Sequence, residues 1–431
     1  MLRQLNNIKN KARAMTYAFL RWTEKWTKTD MVYLAKGGFW LIFGQIAASI
    51  SSFILSILFA NLLPKETYGT YKYIISIAGV LSITTLTGMN TAVVRAVSRG
   101  HDQTVIKALK AKIKWGTLGG LTSLFIAYYY FYIGNTELSV GFLIVALFIP
   151  FMNSFGIYDA LLIGRGLFKK IGIFFITSQL IAFLVMLITI MMHGSIYLII
   201  LSYFASWTTA RLLFLSISLK KYIKNEQADD SSISYGKHLT FVNLITTISE
   251  YIDKILIFNQ ISAANLAMYS VAVAPVEQLK VLSKNIKNLI IPKFSKKEEI
   301  KINSSLTPKI FKFLLALLVI SILYILCAPL IFKIIFPRYT DSLFYSQLFS
   351  LSIIASASII PISILESQKK QKELYLINIT TSIIQIFLIL FMLYFYGIIG
   401  IIIAKIITRF FELLISLTIL NRKYYVFKKP I

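Results

Sequence analysis

The sequence predicts an all-α polytopic membrane protein of about 12 transmembrane helices, arranged as two six-helix bundles related by a pseudo-twofold axis along the membrane normal. Three observations carry this expectation. Of the 431 residues 57% are hydrophobic and only 15% charged; long apolar runs recur from residue 37 to residue 420; and short motifs return in the same order in the two halves. A soluble chain has about 25% charged residues, so this one lacks the polar surface to enclose its apolar content in water. Apolar runs along the whole chain also exclude a soluble enzyme on a single anchor. A net charge of +27, from 45 Lys and Arg against 18 Asp and Glu, points to nucleic acid only in a soluble protein.

Residues 1–36 are basic. Trp22 and Trp26, one turn apart and flanked by Arg21, Lys25 and Lys28, fit either a short helix on an anionic leaflet or a disordered tail. No compact apolar core with a small-residue cleavage site follows, so no signal peptide is expected, and Met15 and Met31 offer alternative starts. A span needs about 20 apolar residues. Spans are predicted near 37–61, 70–95, 113–133, 138–163, 171–192, 195–219, 239–260, 265–291, 310–335, 342–366, 373–396 and 397–420, the last two separated only by the tight turn at Gly397 and Gly400. Cys327, the single cysteine, lies in an apolar run and is expected to pack as a small hydrophobe.

Cations fix the orientation. With the N-terminus inside, the outer turns hold only Lys65, Lys72, Lys333 and Arg338, and most other Lys and Arg fall in inner segments. That asymmetry places both termini in the cytoplasm and requires an even number of spans. The expected organisation is a basic cytoplasmic segment (1–36), an N-terminal bundle (37–222), a cytoplasmic linker (223–237), a C-terminal bundle (238–420) and a basic tail (421–431).

The repeat is short but ordered. Phe59 through Tyr71 (FANLLPKETYGTY) resembles Phe258 through Tyr269 (FNQISAANLAMY); AVVRAVSR from Ala92 resembles LIIPKFSK from Leu289; and the sixth and twelfth helices carry Arg211 and Arg409, each followed by an apolar run and a serine. Parallel repeats of this kind build transporters whose halves rock against each other.

Seven cations remain inside the spans: Arg211, Lys254, Lys280, Lys284, Lys287, Lys405 and Arg409. An ionisable residue at the bilayer centre costs about 2.5–3.5 kcal/mol on insertion scales, so it faces protein or water. The seventh helix sets Glu250, Asp253 and Lys254 on one face, and the eighth sets Glu277, Lys280, Lys284 and Lys287 on one face. Two readings stand. The stripes line a polar cavity, with Lys280, Lys284, Lys287, Lys254, Arg211, Arg409 and Arg95 as anion-binding candidates and Glu250, Asp253 and Glu277 as candidates for ion coupling. Alternatively Asp253, Lys254, Glu277 and Lys280 form ion pairs that only tie two helices together. Arg211 and Arg409 fit either ligand contact or snorkelling to the inner headgroups, Arg95 and Asp159 sit near helix ends, and Glu412, one turn from Arg409, can neutralise it.

No reaction chemistry is visible. His101, His193 and His238 lack metal-ligand spacing, and no phosphate-binding loop is present; neither an enzyme, a cofactor nor a metal is expected. Gly79, Gly88, Pro150, Gly156, Pro275 and Pro361 interrupt or thin the helices, permitting close packing or kinks.

Leu62 to Gly100 (LLPKETYGTYKYIISIAGVLSITTLTGMNTAVVRAVSRG) resembles the start of bacterial polysaccharide flippases, with a Tyr-Gly-x-Tyr turn and a glycine-punctuated second helix. Asp253-Lys-Ile-Leu-Ile-Phe, Met268-Tyr-Ser-Val-Ala and Ile291-Pro-Lys-Phe-Ser resemble that family's seventh and eighth helices, and Tyr396-Gly-Ile-Ile-Gly-Ile-Ile-Ile-Ala its last pair. The resemblance is to Wzx-type O-antigen or polysaccharide repeat-unit flippases of the multidrug/oligosaccharidyl-lipid/polysaccharide exporter superfamily. It implies a central cavity, a bacterial inner-membrane location, and an undecaprenyl-diphosphate-linked oligosaccharide as cargo. It also implies cooperation with a polysaccharide polymerase and chain-length machinery; membrane lipids are partners and nucleic acid is not. Two modes of coupling stand, H⁺ or Na⁺ carried by Glu250, Asp253 or Glu277, and passive exchange driven by consumption of the product outside. No several-Arg motif like that of lipid II flippases is recognisable. Within the superfamily the competitor is a multidrug or cation antiporter, which predicts an acid-dominated cavity. An O-antigen polymerase or ligase would need a large external loop, and the outer turns here are short.

Overall fold

The computed structural model describes residues 31–192, 194–295, 306–368 and 370–424, with side-chain surroundings within 43–192, 194–280, 310–368 and 370–422. The Trp22 and Trp26 segment lies outside the described residues. Among them the helices form twelve successive rods. These are α1 (Met31–Leu62), α2 (Lys65–Leu81, then Met89–Ser98), α3 (Thr104–Tyr132), α4 (Thr136–Phe155, then Tyr158–Gly164), α5 (Phe168–Met191) and α6 (Ile196–Tyr222) in the first half. The second half has α7 (Asp230–Val242, then Leu244–Gln260), α8 (Ala263–Ser295), α9 (Leu306–Ile335), α10 (short pieces from Leu343–Ser350 to Ile359–Ser367), and α11 and α12, the two parts of Gln371–Tyr424 on either side of Gly397.

Seven stretches are long and apolar enough to cross a membrane, and the bent α2 pair, with 44° between its parts, makes an eighth. One of the seven, Gln371–Arg422, contains both α11 and α12. Of the rods outside that set, α7 and α8 are interrupted by Lys, Asp or Glu, and α3 carries its lysines in its first turns and Gly, Thr and Tyr through the rest. The chain is a multi-pass membrane protein with the twelve-rod architecture expected from the apolar runs.

Local chemistry sets the turns. Pro64 precedes α2 with φ −57°. Gly134 takes φ 79° and the Asn135 side chain caps α4 by accepting from the Leu138 N–H at 3.0 Å. Gly397, at φ 56° and ψ −134°, reverses the chain between α11 and α12 in one residue.

An even number of rods leaves residues 31 and 424 at one end, called proximal here, with the α1–α2, α3–α4 and α11–α12 turns at the distal end. The halves meet along α2, which packs on both α7 and α8. At the distal end a Cβ on Gly69 would sit 1.8 Å from the Ala263 carbonyl oxygen, so only glycine admits this approach. Midway, the Tyr251 ring lies against Gly79. Proximally, Thr240 Oγ1 accepts from the Gly88 N–H at 3.0 Å where α2 is interrupted. Ser49 of α1 donates to Gln278 of α8 across the same interface.

The segment expected as a linker is helical from Asp230 onward, and residues 223–229 are held against the first half. Asp102, fully buried, accepts from Arg165 and, at 2.8 Å, from the Lys224 N–H. Thr104 Oγ1 accepts from the Asp229 N–H at 2.9 Å. Cys327 corrects the sequence expectation: it is exposed on α9 rather than packed. Its helix turns Ile322, Leu323 and Leu326 outward as well, an apolar surface suited to lipid.

Candidate functional site

Helix interruptions place most of the intramembrane charge. α4 breaks at Gly156 and Ile157, and Arg211 of α6 runs along the break, its Cδ and Nε 3.8 Å from where a Gly156 Cβ would stand. Its Nη1 donates to the Met152 carbonyl and to Asn153 Oδ1, both at 2.9 Å. The guanidinium lies 5.0 Å from the Trp207 ring centroid, and no carboxylate reaches ion-pair distance of it among the described residues. Together with Asn153, Tyr203, Tyr251 and Ser82 it lines a cavity of about 180 Å³ between the halves. Lys254 of α7 lies 5.3 Å from the centroid of Tyr251 and within electrostatic range of Lys72.

In the second half α10 is the interrupted rod, and Arg409 of α12 reaches its break. Nη1 donates to Ser352 Oγ at 3.0 Å and Nη2 to Glu277 Oε1 at 2.6 Å. Lys280 stands 3.7 Å from the same Glu277 oxygen and 4.7 Å from the Phe349 ring centroid; its enclosed ammonium makes no hydrogen bond among the described residues. A cavity of about 610 Å³ opens here, lined by Glu250, Glu277, Gln278, Lys280, Arg409 and Glu412.

Asp253 is fully buried between α7, α8 and α12. Its Oδ2 accepts from Lys405 Nζ at 2.6 Å and from the Tyr269 hydroxyl at 2.5 Å. Asp253 and Glu277 therefore form ion pairs, as the second reading expected: Asp253 reaches across to Lys405 of α12 rather than to Lys254, and Glu277 pairs both with Arg409 of α12 and with Lys280 on its own helix.

Of the residues singled out in the sequence, Glu250, Glu277, Lys280 and Arg409 gather at the second-half cavity, Arg211 lines the smaller cavity closed by Tyr251, and Lys254 lies outside both linings. Arg95 is exposed at the proximal end of α2, 5.7 Å from the Tyr235 ring centroid. Lys284 and Lys287 fall on α8, where side chains lie outside the described residues. Asp159 Oδ1 is enclosed without a hydrogen-bond partner.

Three participants escaped sequence reasoning. Lys72, counted with an outer turn, lines a cavity inside the first half. Lys112, counted with an inner loop, is 2% exposed and donates to the Leu86 carbonyl at 3.3 Å and to Asn90 at 3.1 Å, holding the interruption of α2. Tyr269 completes the Asp253 pair, and its alignment with Tyr71 in the repeat was the available signal. Among the described residues no group of three or more His, Cys, Asp or Glu is placed to hold a metal.

The polysaccharide biosynthesis protein model matches residues 34–298, more than half of the chain. The chain belongs to the polysaccharide biosynthesis protein family. No curated protein matches it in sequence. Solved structures agree in fold: the lipid II flippase MurJ in an inward closed conformation has a TM-score of 0.69 at 15% identity, over 88% of this chain and 87% of that one. A MATE transporter in complex with MaD5 gives 0.63 at 12% identity over 91% and 96%. A transporter of the MOP superfamily (the exporter superfamily named above) from Pyrococcus furiosus, described as having a binding pocket of reverse polarity, gives 0.58 at 11% over 92% and 96%. This family member therefore has the two-bundle fold of superfamily transporters.

Proposed function

We propose that the chain is a flippase that carries an undecaprenyl-diphosphate-linked oligosaccharide repeat unit, of O-antigen or capsule, from the cytoplasmic to the outer leaflet of the bacterial inner membrane. The observation that carries this reading is Arg211, a guanidinium lining a cavity closed by Tyr251 of the second half, with no carboxylate at ion-pair distance among the described residues and aromatic rings around it. A diphosphate matches the guanidinium fork, sugars stack on aromatic faces, and the polyprenyl tail stays in lipid. Family membership supports a polysaccharide precursor as the cargo.

In this reading the proximal end is cytoplasmic and the bundles at 37–222 and 238–420 rock about the α2 contact to give alternating access. Arg211 and Lys254 take the diphosphate. Lys280, Lys284 and Lys287 extend the cationic stripe toward the cytoplasm, Arg409 adds its remaining guanidinium N–H groups, and Arg95 stands at the cytoplasmic mouth. H⁺ or Na⁺ coupling falls to Glu250, Asp253 and Glu277, the last two exchanging their Lys405 and Arg409 partners. The delivered unit is consumed by a polymerase and chain-length machinery.

One observation favours a second reading. Three glutamates, Glu250, Glu277 and Glu412, line the second-half cavity against Lys280 and Arg409, which suits exchange of a cation by a multidrug-type antiporter. Cells lacking the chain separate the two. A flippase leaves lipid-linked repeat units trapped where a membrane-impermeant sugar oxidant cannot reach them, with drug sensitivity unchanged. Increased sensitivity to cationic drugs with normal surface polysaccharide supports the antiporter and refutes the flippase.

A further inference from the structure

We propose that the first half contains a glycan subsite in which Lys72 binds the carboxylate of an acidic sugar, separate from the diphosphate site at Arg211; this rests on the flippase reading above. The cavity holds about 250 Å³ between α1, α2, α5 and α6, with Ser52, Tyr71, Lys72, Gln179, Tyr203 and Trp207 in its walls. It shares Ile75 and Tyr203 with the smaller cavity of Arg211, so the two adjoin across these side chains.

Lys72 lies seven residues into α2 and Arg211 fifteen into α6, both counted from the distal end. At 1.5 Å per residue their depths are about 10 and 22 Å, too far apart for one diphosphate to satisfy both. A cargo anchored by its diphosphate at Arg211 would thus extend its sugars distally toward Lys72.

Two side chains there lack partners. Among the described residues no carboxylate lies within ion-pair distance of Lys72, whose nearest recorded contact is the Tyr68 ring, 5.3 Å from ammonium to centroid. Gln179 is 7% exposed, and its amide makes no hydrogen bond among the described residues. A cation and an amide that face a cavity without protein partners are free to pair with a ligand that enters it. Their chemistry specifies the ligand. An ammonium is a single point charge that one sugar carboxylate balances, whereas a diphosphate carries two negative charges; an amide pairs with hydroxyls; Tyr71, Tyr203 and Trp207 offer rings to the apolar faces of a sugar.

The test uses the full chain in lipid vesicles with two cargoes, a polyprenyl-diphosphate oligosaccharide containing a hexuronate and one of the same length containing only neutral sugars. Lys72→Gln should slow translocation of the acidic cargo about tenfold, the loss of one charge-assisted hydrogen bond, and leave the neutral cargo within about twofold. Lys72→Arg should restore most of the acidic rate. The neutral cargo reports folding within the same preparation. Equal loss on both cargoes, or loss on neither, overturns the subsite while the flippase reading stands; failure of the unsubstituted chain to move either cargo overturns both.

Discussion

Arg211 and Arg409 make the same contact in the two halves of the molecule. Each projects from the sixth helix of its repeat and donates from Nη1 to the interruption in the fourth, Arg211 to Met152 and Asn153 of α4, Arg409 to Ser352 of α10. The symmetry ends at charge. Arg409 is spent on Glu277 at 2.6 Å, whereas Arg211 meets no acid at ion-pair distance among the described residues. Arg409 has a carboxylate partner, and Arg211 has none at that distance among the described residues, with Asp159 acting on it from farther off.

Substituting the two arginines should therefore have different consequences. Arg211→Lys keeps the charge but loses the fork, and is expected to lower translocation about tenfold; Arg211→Gln should lower it further, since hydrogen bonds to charged groups contribute about 1.5–3 kcal/mol. Arg409→Gln strands Glu277 and should act mainly on stability. Paired measurements of vesicle transport and thermal unfolding check the division. Equal transport loss with no change in stability for the two would contradict it.

Asp253 and Lys405 are expected to behave as a structural pair. Asp253→Asn leaves the Lys405 ammonium, 12% exposed, without its counter-charge, and breaking such a buried pair costs about 3–5 kcal/mol. The double substitution Asp253→Leu with Lys405→Met should recover most of that loss. Unfolding in detergent reads both; a double variant as unstable as Asp253→Asn would argue that the charges themselves are needed.

Both the fold and part of the site were legible in the chain, for different reasons. Spans are legible because about 20 apolar residues must coincide with one bilayer crossing, and the tight turn at Gly397 was visible for the same reason. Arg211, Arg409, Glu277 and Asp253 stood out because a charge inside an apolar run is costly. Their partners did not, since pairing across α7, α8 and α12 depends on packing that no local pattern encodes. Lys72 was hidden differently: seven residues from a helix start, it is indistinguishable in sequence from a turn lysine, and only the surrounding α1, α5 and α6 make it interior. Lys112 was lost likewise, as one of several lysines on the first turns of α3.

Gly69 should control the distal contact between the halves. Any Cβ there meets the backbone of Ala263, so Gly69→Leu must push α2 and α8 apart. With Cys327 replaced by serine and paired spin labels at the distal ends of α2 and α8, the distance distribution should shift to longer values. An unchanged distribution would show that the contact does not set the distal closure.

The Asp229 cap should give the 223–229 connection a dependence on acid. Hydrogen bonds from Ser231 and Ser232 hold its carboxyl down to about 2, below the usual value of about 3.9. A lowered value stabilises the folded form above the unfolded pKa and loses that contribution as pH falls through the folded one. Proteolysis within 223–229 should therefore be insensitive to this group between pH 5 and 8, by about the same principle, and increase below about pH 4. Asp229→Ala should show the low-pH cleavage rate at pH 7, and a variant that retains the slow rate would exclude the cap.

The most direct test of the account is transleaflet movement in vesicles holding only this chain and a fluorescent undecaprenyl-diphosphate oligosaccharide. An impermeant reductant that quenches label in the outer leaflet leaves about half of it protected when no protein is present, the ordinary consequence of slow spontaneous transfer of a large polar headgroup. With the chain present, the protected half should become quenchable, and Arg211→Gln should restore the protection. Protection unchanged by the unsubstituted chain would contradict the assignment of a lipid-linked oligosaccharide as its cargo.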